Sequence, residues 1–217
     1  MGLRRVVCIA WAAIAASTPV PIGAADPGRQ STHSEPDPAG QPDSVHPWRL
    51  DRLAFGSCSK QGLPQPLWPA IVASKPQVWL WTGDAIYPDT NSPAGLSDGF
   101  ASQLQQPGYR DLLSTVSLVE GTYDDHDYGR NDAGKELSTK RESQERYLEF
   151  LGVTTAASGY ARRRARAGIY SSHVFGPEGQ RVKLIILDTR WWRDRHTIPS
   201  AVPLLPHQGY SENVPDA

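Results

Sequence analysis

From Gln77 to Trp81 the chain reads as one continuous apolar strand, and two residues later it reaches Gly83-Asp84. A short apolar run rich in aromatic and β-branched residues, closed by a turn signal, reads as a buried β-strand. A second run, Ser117 to Tyr123, stops in the same way at Asp124-Asp125-His126-Asp127. Each puts acidic side chains on the loop just past a strand's carboxyl end, and open α/β sheets bind ligands in the crevice outside those ends.

The flanking pattern supports such a sheet. Leu50 to Gly56 reads as a strand and Pro66 to Ser74 as a short helix. Helical pieces fill 98–115 with a break at Pro107-Gly108, and Glu136 to Leu151 is an amphipathic helix with Tyr147, Leu148 and Leu151 on one side. Gly168 to Phe175 and Arg181 to Asp188 form a hairpin about Gly176 to Gln180. Val182 to Leu187 is apolar enough to serve as a central strand. Strands alternating with helices predict an α/β core.

The chain has 217 residues, enough for one domain with accessories and small for a two-sheet enzyme. Residues 1–25 have the form of a secretory signal: Arg4 and Arg5, an apolar stretch from Val6 to Ala16, and a small-residue end at Gly23-Ala24-Ala25. The apolar stretch is too short to span a bilayer, so no transmembrane anchor is expected. The Arg pair suits a twin-arginine signal, but the residues that usually follow are lacking, and both export routes stay open. Cleavage after Ala25 removes two cations and no anions and takes the formal charge from −1 to −3. A net acidic chain carries no general expectation of nucleic-acid binding.

Residues 26–47, rich in Pro, Asp, Ser and Gln, predict a disordered linker. The domain then runs over 48–192. Beyond it, 193–217 holds four prolines and no sustained period, as in an irregular tail. A two-layer domain should not stop so soon after its last strand, which suggests an incomplete domain.

Cys8 falls in the signal and leaves Cys58 as the one cysteine of a mature chain. A lone cysteine is commonly a small buried hydrophobe. Its place in Phe55-Gly56-Ser57-Cys58-Ser59, at the end of the first strand, instead favours a metal ligand on the same rim as the acids.

Asp84 alone is a weak signal, because an Asp after Gly also suits a turn. Tyr87, three residues on, sharpens it. A phenolate is a hard donor suited to a trivalent ion, although a packed tyrosine with a hydrogen-bonded hydroxyl is the plainer alternative. Three carboxylates within Asp124-Asp125-His126-Asp127 repel one another unless cations or solvent neutralise them. With two metals, one acid can bridge the ions while the neighbouring His protonates a leaving group. Asn131 offers a neutral oxygen to a calcium-type ion and equally suits a turn. The arginines at 162, 163, 164 and 166 read as a solvated loop, with attraction of anionic substrate or nucleic acid as lesser readings. The tryptophans, Trp79, Trp81, Trp191 and Trp192 among them, read as core.

Phe55-Gly56-Ser57-Cys58, Gly83-Asp84-Ala85-Ile86-Tyr87, Asp124-Asp125-His126-Asp127 and Leu187-Asp188-Thr189-Arg190 stand in the order seen in alkaline phosphatase D (PhoD-like) metallophosphatases. Over roughly 50–192 the chain resembles that family. The resemblance implies a two-sheet α/β/β/α sandwich, here with its second sheet largely missing. It also implies an exported, periplasmic or extracellular, monomeric hydrolase of phosphoester substrates. Such an enzyme uses a metal-activated hydroxide at a two-metal centre of iron (Fe3+) and calcium. Carried over by position, Cys58, Asp84 and Tyr87 would hold iron, with Asp84 bridging towards calcium. Asp125 would be a metal ligand, His126 the catalytic residue, Asn131 a further ligand, and Arg190 an anchor for the strand end. The family completes its metal shells with a Gly-Asp-x-His loop, and none follows Arg190. The alternatives are then an inactive truncated fragment, or a metal-binding module without turnover.

Overall fold

The computed structural model describes residues 41–88, 90–155 and 159–194. The expected signal, most of the expected linker, Asp89 and the tail from 195, with His196 and His207, lie outside the described residues.

The described chain is mixed α/β, with helices and two small sheets. Six strands and six helices follow in order: β1 Ser44–His46, β2 Leu53–Gly56, α1 Trp68–Ala73, β3 Val78–Thr82, α2 Pro93–Gln105, α3 Pro107–Leu113, β4 Leu118–Thr122, α4 Asp125–Tyr128, α5 Lys140–Phe150, α6 Tyr160–Ala165, β5 Ser171–Phe175 and β6 Val182–Ile186. One sheet has the order β2-β3-β4 and the other β1-β5-β6.

The β2-β3-β4 sheet is parallel throughout, as helices interposed between successive strands require. Its centre is the apolar run of β3, whose Val78, Trp79 and Trp81 are buried. Trp68 of α1, Phe100 of α2, Tyr109 and Leu112 of α3, and Tyr147 and Phe150 of α5 complete this aromatic core with Trp79 and Trp81. The Trp81 indole N–H donates to the Tyr109 hydroxyl at 3.0 Å, so the polar edge of that ring is satisfied in the interior. Tyr147 Oη donates to the Thr122 carbonyl at 2.7 Å and fixes α5 to the end of β4.

The break expected at Pro107 is present. Gln106 is extended, as the residue before a proline should be, and α3 starts at the proline itself. The preceding helix begins earlier than expected, at Pro93, where the Ser92 side chain caps it by accepting from Gly95 N at 3.4 Å. The hairpin is also present as the antiparallel pair β5 and β6.

Four expectations are corrected. Ser44–His46, within the stretch expected to be disordered, pairs in parallel with β5 from Ser44 opposite His173 to His46 opposite Phe175. Strand β6 is at the edge of its sheet and not central, and Ile185 and Leu187 stay exposed. Trp191 is buried, but Trp192 beside it points into solvent.

The fourth correction is the arginine run, which is helical in α6 and largely enclosed. Arg163 makes a bidentate pair with Glu120 of β4 at 2.7 and 3.1 Å, and Arg166 pairs with Asp43. Matched counter-charges allow guanidinium groups into an interior that would otherwise reject them. Arg164 remains outside and pairs with Glu145 at 2.7 Å. No helix among the described residues is long and apolar enough to cross a membrane.

Candidate metal centre

Parallel pairing sets the site. Thr82 of β3 lies opposite Thr122 of β4, so Gly83-Asp84 and Tyr123-Asp124 leave the sheet side by side. The loops touch: a Cβ on Gly83 would stand 2.5 Å from that of Asp124, and Gly83 has φ +106°. Only glycine meets both conditions without strain. Asp84 and Cys58, each just past its strand, take the left-handed region with φ 53° and 57°. Their loops are joined by Ser59 N donating to the Asp84 carbonyl at 2.8 Å. Strained non-glycine backbone of this kind concentrates at functional sites.

Three of the expected site residues converge. Asp84, Asp125 and His126 each offer a ligand atom, and these atoms lie within 4.8 Å of one another. Tyr87 is beside them: its hydroxyl donates to Asp84 Oδ2 at 2.8 Å, and its ring lies 4.3 Å from that of His126. Cys58 is exposed, not a buried hydrophobe, and its Sγ stands 3.9 Å from Asp84 Oδ2.

Asn131 lies further along the loop. Its amide N–H is spent on Asp132 Oδ2 at 3.0 Å, while Asp132 N donates to Asp125 Oδ2 at 2.7 Å. The Asn131 turn therefore holds Asp125 in place.

The electrostatics of the cluster favour a nearby positive charge. Burial raises the Asp84 carboxyl above its ordinary value, and Asp125 and Asp124 raise it further against the opposing Tyr87 bond and His126. Asp84 Oδ1 is buried with no hydrogen-bond donor among the described residues. Tyr87 is pushed well above the usual phenol value by burial and by its neighbours Cys58 and Asp84. A cation between these groups would reverse both effects, favouring the carboxylate and easing loss of the phenol proton. The donor set and the orphaned oxygen fit a hard cation, with Asp84 and Asp125 to hold it and His126, Tyr87 and Cys58 at its flank.

Other acids of the same motifs have structural roles that sequence reasoning did not assign. Asp127 is fully buried; it accepts from Ala85 N at 2.9 Å and from Asp124 N at 2.6 Å, so it ties the two loops together. Asp124 is engaged by the Arg190 guanidinium, which also stands 3.7 Å from Asp125. Arg190 thus anchors the acid loop by an ion pair, where the sequence suggested an anchor for the strand end. Asp188 accepts from the Tyr123 hydroxyl at 2.6 Å, Ile169 N at 2.9 Å, and Arg190 N and Trp191 N at 2.8 Å each. It joins the end of β6 to the end of β4 and aims Arg190 at the acids. Side-chain to backbone bonds leave little trace in sequence beyond Asp beside a turn. No family model, curated protein or solved structure matches this chain.

Proposed function

We propose that this protein is an exported, metal-dependent phosphoester hydrolase of the PhoD-like metallophosphatase type. Its two small sheets are then parts of a two-sheet α/β/β/α sandwich. One observation carries the reading: Asp84, Asp125 and His126 from two adjacent strand ends meet within 4.8 Å, with Asp84 Oδ1 buried and unpartnered among the described residues. Acids and an imidazole gathered at the carboxyl end of a parallel sheet suit cations that neutralise a phosphoryl group.

In this reading Asp84 and Asp125 would hold iron and calcium, and Tyr87 and Cys58 would be further ligands of the iron. When bound, the cations supply positive charge against the phosphoryl oxygens and acidify a water. The chain's own part is to orient and to move a proton. His126, whose ring lies 4.3 Å from that of Tyr87, would protonate the departing alcohol. Arg190, committed to Asp124, keeps the acid loop in position rather than touching substrate.

The test is metal analysis of the purified full chain beside a p-nitrophenyl phosphate assay. Retention of iron and calcium with turnover that chelation abolishes is the expected result. Turnover that survives chelation would overturn the metal mechanism, and metal retained without turnover would leave a binding module in its place.

A further inference from the structure

Next to the acid cluster the surface opens into a cleft of about 540 Å³ whose walls include Cys58 and Tyr87, so the cleft and the cluster share a boundary. Away from that boundary the walls are Phe55, Leu63, Leu67, Trp68, Ile71 and Trp79. Three of these side chains are held largely in water, with Phe55 61%, Leu63 56% and Leu67 71% exposed. Apolar side chains ringing a cavity of this size are the usual lining of a small-molecule site.

The wall is built and not a slack loop. Tyr87 N donates to Gln61 Oε1 at 2.8 Å, and Gln106 Nε2 donates to the Gln61 carbonyl. Gln65 exchanges hydrogen bonds with the fully buried Gln103 of α2 at 2.8 and 3.1 Å. Trp68 Nε1 also donates to Gln65 Oε1. The segment from β2 to α1 is thereby pinned against α2 and Gln106, which holds the cleft wall in place. Lys60 sits where cleft and cluster meet, with Nζ 5.3 Å from the Tyr87 ring centroid, so a cation marks the place for an anionic group.

We propose that this cleft receives the organic group of the phosphoester, and that the group is apolar and flat, an aryl alcohol or one of similar shape. The proposal rests on the phosphoester reading of the adjoining cluster. An ester whose phosphoryl group lay at Asp84 and Asp125 would cross the Cys58–Tyr87 boundary under Lys60 and lay its apolar body against Trp68, Phe55 and Leu67. A small polar alcohol would leave those side chains in water and gain nothing from them.

The experiment compares phenylphosphonate with methylphosphonate on the metal-loaded full chain, as inhibitors of p-nitrophenyl phosphate hydrolysis and by tryptophan fluorescence. Phenylphosphonate should bind at least about tenfold more tightly. Leu67→Asp or Phe55→Ser, both at exposed positions, should erase that preference by weakening phenylphosphonate alone, with an unchanged melting temperature. Equal binding of the two by wild type would overturn the proposal while leaving the phosphoester reading intact. A preference untouched by either variant, with a dimer in sedimentation that Leu67→Asp dissociates, would overturn it in favour of a second copy on this face. Phenylphosphonate binding that Leu67→Asp abolishes, in protein that turns over no phosphoester, would uphold the cleft and sink the catalytic reading.

Discussion

Two regions of this molecule bury ionisable side chains, and they do so in opposite ways. Around α6 each cation meets an anion: Arg163 holds Glu120 by two bonds, and Arg162 and Arg166 share Asp43, whose second oxygen accepts from Ser172 N at 2.9 Å. At the ends of β3 and β4 the buried acids outnumber the one buried arginine among the described residues there. Asp84, Asp125 and Asp127 lie together, and the cation that reaches them, Arg190, is committed chiefly to Asp124. Matched burial is self-sufficient and serves the fold. An excess of buried acids at a sheet's carboxyl edge calls for charge from outside, and that difference separates a structural network from a candidate metal centre.

The contrast is tested most severely at Asp84. Replacing it with Ala should lower p-nitrophenyl phosphate turnover by on the order of 10³-fold, since a lost charge-stabilising group in a site of this kind costs about that much. In chelator-treated protein, Asp84→Asn should unfold at the same or higher urea than wild type, because it removes a carboxylate from among carboxylates. If the Asn variant were clearly less stable without metal, Asp84 would belong with the structural charges.

Arg163→Ala is the opposite case. It leaves Glu120 buried without its partner and should cost about 3–5 kcal/mol in urea unfolding. The folded fraction should bind metal as before. Arg163→Met combined with Glu120→Leu removes both charges and should recover most of the loss. A single variant costing under about 1 kcal/mol would show the pair to be solvated and the comparison to be misdrawn.

How far each region was legible in the sequence follows from the range of its interactions. The parallel sheet was readable because Val78 to Trp81 and Ser117 to Tyr123 carry their burial in local composition, and the acids sit next to those runs. Asp84, Tyr87, Asp125 and His126 therefore stand beside strand ends already in the sequence, and the family resemblance adds their roles. Helix α6 was not readable. Four arginines in five residues look solvated, and the carboxylates that enclose them lie 43 residues away for Glu120 and 123 for Asp43. Strand β1 is three residues beside a proline-rich stretch, and only its pairing with β5 makes it a strand. Asp127 stood in the acidic run beside the site and Asp188 in a separate motif, and their bonds to backbone N–H groups in other loops make both of them struts. Edge position hid β6, since an apolar run does not say whether anything lies alongside it.

The smallest predicted effect is a pH dependence confined to the matched network. His173, in β5, lies 3.4 Å from Glu120 and bonds to Ser44 and Ser171, and Arg163 and Asp43 also face it. Burial lowers its pKa, and the attraction of Glu120 does not restore it. His46, bonded to the same Ser44 hydroxyl, is lowered by burial as well. With the folded values below the ordinary imidazole value of about 6.5, the unfolded chain takes up protons first. Stability should then be complete above that value and decline as pH falls through it towards the folded values. Asp43 has a lower window. Burial alone would raise its carboxyl, but the Ser172 bond and the Arg166 and Arg163 charges outweigh that and hold it below its ordinary 3.8. Its contribution persists above that value and is lost as pH falls below it. Urea midpoints measured from pH 7.5 to 3 should thus fall in two stages, and His173→Gln should flatten the upper stage while leaving the lower one. A midpoint that held level from pH 7.5 to 4.5 would mean that these imidazoles take up protons in place, and that the network around α6 is more open to water than its ion pairs imply.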